Sequence, residues 1–235
     1  MQRAMEQRGG PPLAMLAAIS LALLVAGVVT STALGGVFPS PFSDPGAIGR
    51  YFADEPDAVL AGAVFGLASA VPLVIYAAAA VARVHELAGA QAGTAIALAG
   101  GVLSGGMLAG SALVQWALTR ASVRFDVPVV RALHDLAFLI GGVGHVVFLG
   151  LLVAGLAVPC LLLGLIPRAL AVAGLVVAAV AELAIVSLVW TDAAVLLPAG
   201  RFPGLLWLIV TGALVARWNT AGAPGTAVAT EGAPR

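Results

Sequence analysis

Long apolar runs alternate with short polar breaks along the whole chain. Crossing ~30 Å of hydrocarbon takes ~20 residues of helix. Six runs meet that need, at about 13–37, 57–83, 94–118, 133–159, 168–190 and 203–217. The last is short and can borrow from 193–197 before it. The fourth is open in the other direction. Residues 158–166 are nearly as apolar as the span, so its helix can slide or continue past Pro159 to about Leu163. That slide would carry His145 from mid-span towards one face. The pattern predicts an all-α, polytopic transmembrane helical bundle of six spans, with seven left open, in one domain over 1–218. The tail 219–235 has no periodicity and reads as disordered.

The breaks carry their own signals. In "SDPGAIGRYFADEPDA", Asp44 suits an N-cap and Pro45 a first helical position. Ile48, Tyr51 and Phe52 then share a face, which predicts a short outer helix lying on the membrane surface. A second start follows at Pro56, with acids at the positive end of the helix dipole. The N-terminal run could be misread as a cleaved signal peptide ending near Ala33. Its apolar stretch exceeds the usual 7–15 residues, so a first transmembrane helix is the expectation.

Composition agrees with this layout. Only 9% of the 235 residues are charged, 61% are hydrophobic, and the mean hydropathy is +1.09. Soluble domains carry roughly 25% charged residues, so most of this surface must face lipid or other helices. All 11 basic residues are arginine and the net charge is zero, which gives no nucleic-acid footprint. The single cysteine, Cys160, excludes an internal disulfide and a cysteine metal cluster. Arg3 and Arg8 precede the first span and Asp44, Asp54, Glu55 and Asp57 follow it. Positive residues favour the cytoplasmic side, so both termini are expected in the cytoplasm. Trp116, Trp190 and Trp207 then fall towards the outer interface and Trp218 at the inner one.

Helices in lipid associate through small residues that permit close approach. The third span has such a ladder: Gly93, Ala97, Gly101, Gly105 and Ala109, with Gly106 and Gly110 on another face. It is expected to be the central post and the least lipid-exposed helix. In the second span, Gly62, Gly66 and Ala70 precede Pro72, which should bend the helix beside Ser69 and Tyr76.

Two ionisable residues sit well inside spans, His145 and Glu182. Ser104, Ser111, Gln115 and Ser187 are milder company, and His134, Asp135 and Asp192 lie near outer ends. His134 and His145 are 11 residues apart, which on a regular helix puts them within about 20° of one another. Gly174, Ala178 and Glu182 make a stripe on the fifth span. Each buried charge is costly in a membrane, and the tight turn near Pro167 makes these helices neighbours. A His145–Glu182 pair is therefore expected, either as a proton-handling site or as a structural clasp. The other candidates for binding a ligand are His134, Asp135, Gln115 and Asp192. No metal or other cofactor is expected. His85 lies at the far end from His134 and His145, and two histidines ~16 Å apart cannot clasp one haem.

From Arg131 onward, "RALHDLAFLIGGVGHVVFLG", "LIPRALAVAGLV" and "FPGLLWLIVTGALV" follow one another in an order that resembles bacterial multi-pass proteins of domain-of-unknown-function family 4386 and related actinobacterial membrane proteins. The Gly-His element, the Ile-Pro-Arg turn and the Trp-Leu-Ile ending carry the likeness. It covers the C-terminal half, and the first half agrees mainly in span layout. The resemblance implies a six- or seven-helix inner-membrane protein and transfers no activity. The sequence leaves two classes open. One is a non-enzymatic accessory, sensory or stress-related membrane module with a structural polar pair. The other is a small intramembrane enzyme or carrier for a lipid or other apolar ligand, using His145 and Glu182. Partners beyond the lipid bilayer, and the oligomeric state, are not legible.

Overall fold

The structure, a computed structural model, describes residues 12–89 and 91–216. It is 86% helical and has no strand among those residues. The helices are α1 (Leu13–Gly35), α2 (Pro45–Asp54), α3 (Pro56–Ala88), α4 (Ala92–Leu118), α5 (Val127–Phe138), α6 (His145–Leu162), α7 (Arg168–Leu183) and α8 (Leu196–Val215). A π-helical turn, Leu139–Gly144, welds α5 to α6. Two 3₁₀ turns, Ala184–Leu188 and Thr191–Val195, link α7 to α8. Six of the resulting helices are long and apolar enough to cross a membrane, as a multi-pass membrane protein requires. Arg3, Arg8, Arg217, Trp218 and the tail lie outside the described residues.

The spans form a closed ring in chain order. α1 meets α3, α3 meets α4, α4 meets α6, α6 meets α7, α7 meets α8, and α8 returns to α1. The fourth span is the longest. Helix continues through Pro159 to Leu162 and begins at Val127, 36 residues in all. At 1.5 Å per residue that is ~54 Å, more than the hydrocarbon needs, so one end projects beyond it. The Asp126 carboxylate caps that end by accepting from the Val129 N–H at 3.2 Å.

The projecting end is where α2 goes. Asp44 caps α2 as the sequence predicts, accepting from the Ala47 N–H at 2.9 Å. The expectation that α2 lies on the lipid surface needs correction. Ile48 and Phe52 are fully buried against Val59, Leu118 and Val130, and Tyr51 packs beside them. The extra turns of α5 supply a protein wall for the apolar face, so α2 crosses the end of the bundle.

Small residues set the inter-helix spacing. A Cβ on Gly100 would stand 2.5 Å from the Leu152 backbone nitrogen, and one on Gly155 the same distance from that of Ala97. Gly101 and Gly105 turn the other way, onto Ala77 and Val74 of α3. Gly93 meets Gly155 and Pro159 of α6, so the ladder of α4 serves two neighbours. It does not make α4 the most enclosed span: half of the core window of the fourth span is buried, against 44% for α4. Gly106 has no neighbour within 4 Å, and Val102, Leu103 and Leu113 are exposed, so one flank of α4 is left to lipid.

Polar clasps tie the ring together. Ser20 and Ser69 each donate to the other's backbone carbonyl, at 2.9 and 2.8 Å, one turn before Pro72. The buried Tyr76 hydroxyl donates to the Leu208 carbonyl at 2.8 Å. Trp207, expected at the outer interface, is instead buried against Gly174 and donates to the Leu170 carbonyl at 2.8 Å. Leu170 lies in the first turn of α7, so Trp207 belongs towards the end opposite α2. Trp116 and Trp190 are exposed at the α2 end, with Arg120 stacked 5.0 Å over the Trp116 ring.

Candidate functional site

The run "LIGGVG" explains the special character of the fourth span. A π turn takes up about one extra residue, which swings every position beyond it by ~100°. His134 and His145 therefore do not share the stripe that regular helix geometry predicts. His134 lines a cleft at the α2 end, while His145 turns onto α4. Glycine is required at the turn itself, since a Cβ on Gly141 would overlap the Ser111 side chain.

Foreign donors gather on this segment. The Ser111 hydroxyl donates to the Ala137 carbonyl at 2.8 Å, and the Ser104 hydroxyl to the His145 carbonyl at 3.0 Å. Arg201 Nη2 donates to the Gly141 carbonyl. The receiving carbonyls, 137, 141 and 145, are spaced by four. The two serines are seven apart on α4, two helical turns, so one helix reads the other at regular intervals.

His145 is fully buried and bound to Ser104. Its Nδ1 lies 2.9 Å from the Ser104 hydroxyl oxygen and 3.1 Å from the Ser104 carbonyl oxygen. A carbonyl only accepts, and that hydroxyl already donates to the His145 backbone, so Nδ1 carries the proton. Nε2 is left as an acceptor without a partner.

The expected His145–Glu182 pair is not formed. Glu182 Oε1 is buried without a partner, and it sits where a Cβ on Gly150 would come within 3.0 Å. Gly150 is five residues beyond His145, ~140° around the helix. One position faces α7 and the other α4, so adjacency of the helices does not bring these side chains together.

A cleft of about 340 Å³ opens beside this segment, between the last turns of α1 and the first turns of α8. At the opposite end the two helices touch, where a Cβ on Gly212 would press on Leu13 and Ala14. Towards α2 they diverge. Leu24, Gly27 and Val28 form one wall, and Leu197, Pro198 and Arg201 the other. Gly62, Gly66, Leu108 and Ala112 make the floor, and Phe38, Pro39 and Pro41 close the top. Val28, Thr32 and Pro198 are exposed, so the cleft is open at its side.

Few polar groups line it. Gln115 donates to the Ser111 hydroxyl at 3.3 Å. His134 is 2% exposed, between the rings of Phe38 and Phe52 at 5.4 and 5.2 Å. It lies beside the Pro39 carbonyl, but neither ring nitrogen closes a hydrogen bond. Above it, burial raises the Tyr51 phenol pKa, Ser31 beside it pulls the other way and Glu55 adds to the rise, so Tyr51 stays neutral. Arg201 has no carboxylate partner among the described residues.

Of the four ligand-binding candidates, the cleft gathers His134 and Gln115. Asp135 is paired with Arg131 at 3.1 Å on the surface, and Asp192 accepts from the exposed Trp190 ring at 3.3 Å. Sequence reasoning missed Arg201 because it placed the last span at 203–217. A 15-residue span is too short to cross, and extending it backwards puts Arg201 inside. No cluster of three or more histidine, cysteine or acidic residues that could hold a metal occurs among the described residues. Compared with known proteins, the chain matches no family model, no curated protein and no solved structure.

Proposed function

We propose that this chain is a non-enzymatic membrane module that holds a small amphipathic ligand in the cleft between α1 and α8. The observation that carries the reading is the cleft itself. It has the volume of a small-molecule site and is mostly apolar with a few polar groups at one end, as such sites usually are. An accessory or sensory role follows if occupancy ties α1 to α8. The carrier alternative shares this cleft, whereas catalysis by His145 with Glu182 loses its basis in their separation. The reading includes a bacterial cytoplasmic membrane, both termini inside and the cleft in the outer half, supported by Arg3, Arg8 and the acidic first loop.

Filling the cleft tests the proposal. Gly62 and Gly66 line it, and a Cβ at either meets only ordinary contacts at 3.5 Å. Gly66→Leu should keep the fold and remove ligand-induced protection against thermal aggregation in nanodiscs. If wild type and Gly66→Leu respond alike to a panel of single-chain amphiphiles, the cleft is not the site.

A further inference from the structure

The polar end of the cleft has a definite chemistry. Arg201 is held in place from behind by its Nη2 bond to the Gly141 carbonyl, and its Nε is buried without a partner. Nη1 forms no hydrogen bond and, unlike Nε, is not sealed from the space it lines. Gln115 stands on the same cleft with an amide donor engaged only by a 3.3 Å bond. An arginine inside a span is costly and is found paired or facing a cavity. Here the cavity is present and the anion is not supplied by any described residue. The rest of the lining is mostly apolar, with Ser31, Thr32, Ser111 and His134 its other polar residues, and Val28, Thr32 and Pro198 are exposed on the side between α1 and α8.

Resting on the binding role proposed above, we propose that the ligand is a single-chain anionic amphiphile entering from the bilayer, its carboxylate or phosphate head on Arg201 and Gln115 and its chain between α1 and α8. A charge-assisted hydrogen bond in a site of this kind contributes enough to favour the anion over a neutral head by about tenfold or more. Inorganic phosphate alone lacks the apolar contacts.

The test is competition for the cleft in nanodiscs of zwitterionic lipid, using palmitate, lysophosphatidic acid, hexadecanol and inorganic phosphate, read by a fluorescent single-chain probe. Both anionic amphiphiles should displace it at least about tenfold more effectively than hexadecanol, and phosphate should not. Arg201→Gln should erase that preference while hexadecanol binding persists, and Arg201→Lys should retain part of it. Since Arg201→Gln also removes the Gly141 clasp, Gln115→Leu serves as the second variant and should reduce the preference without touching the clasp. Equal displacement by palmitate and hexadecanol in wild type overturns the anionic head but leaves the cleft as a ligand site. Displacement by phosphate alone overturns the amphiphile. No displacement by any of the four overturns both readings.

Discussion

Replacing Ser104 with alanine should damage the bundle through His145. The hydroxyl is a donor to the His145 carbonyl at 3.0 Å and lies 2.9 Å from Nδ1, inside a fully buried contact between α4 and α6. Hydrogen bonds between transmembrane helices average ~0.6 kcal/mol and reach ~1.7 kcal/mol in double-mutant cycles. Two contacts from one hydroxyl put Ser104→Ala at about 1–2 kcal/mol, part of it offset because Nδ1 keeps the Ser104 carbonyl at 3.1 Å. His145→Ala should cost more, since it also leaves a cavity the size of an imidazole. The double variant should then cost ~0.5–1.5 kcal/mol less than the sum. Reversible unfolding in mixed micelles of increasing SDS fraction reads all four corners of the cycle. The matching cycle of His145→Ala with Glu182→Gln should be additive, because those groups face different helices. Additivity at Ser104–His145, or coupling above ~0.5 kcal/mol at His145–Glu182, would refute the assignment of faces.

Glycine positions on α4 should separate sharply by neighbour. Gly100→Ala puts a methyl 2.5 Å from the Leu152 nitrogen and should destabilise by about 1–3 kcal/mol, whereas Gly106→Ala meets nothing within 4 Å and should be neutral or stabilising by up to ~1 kcal/mol; SDS unfolding of the two variants checks both. Orientation can be read from reporter fusions after residue 216: cytoplasmic reporters should be active and periplasmic ones silent, and the reverse would overturn the N-inside arrangement.

The fold was largely legible because its signals are local. The number of spans, the Asp44–Pro45 start and the Pro56 start each depend on a few adjacent residues and appear as read, whereas the fourth span begins at Val127 and the last at Thr191, both earlier than read. The site was less legible because it depends on rotation. Nothing in an apolar count distinguishes a regular helix at 139–144 from a π turn, yet that one choice decides which way His134 and His145 point. The fate of α2 hid for a related reason: its apolar face suits a membrane surface or a protein wall equally, and the wall exists only because α5 overshoots the bilayer. Trp207 was assigned by ring type, while its partner, the Leu170 carbonyl, is 37 residues away.

The π turn and Arg201 are two halves of one arrangement. In a regular α-helix every interior carbonyl is engaged by the N–H four residues on, and a guanidinium inside the membrane finds only weak, shared acceptors. A π turn shifts that pairing to five residues, and on this turn the Gly141 carbonyl takes a donor from α8. The same turn needs glycine, because Ser111 occupies the space a side chain would need. At this turn Arg201 of α8 reaches the backbone. The cost of an arginine in the membrane is thereby met in part from behind, by Gly141, leaving Nη1 for the cleft in front. Had Arg201 served only as a clasp, one donor would have sufficed and a serine could supply it, as Ser104 and Ser111 of α4 do for the His145 and Ala137 carbonyls. A full positive charge held beside an apolar space is explained by something anionic in that space.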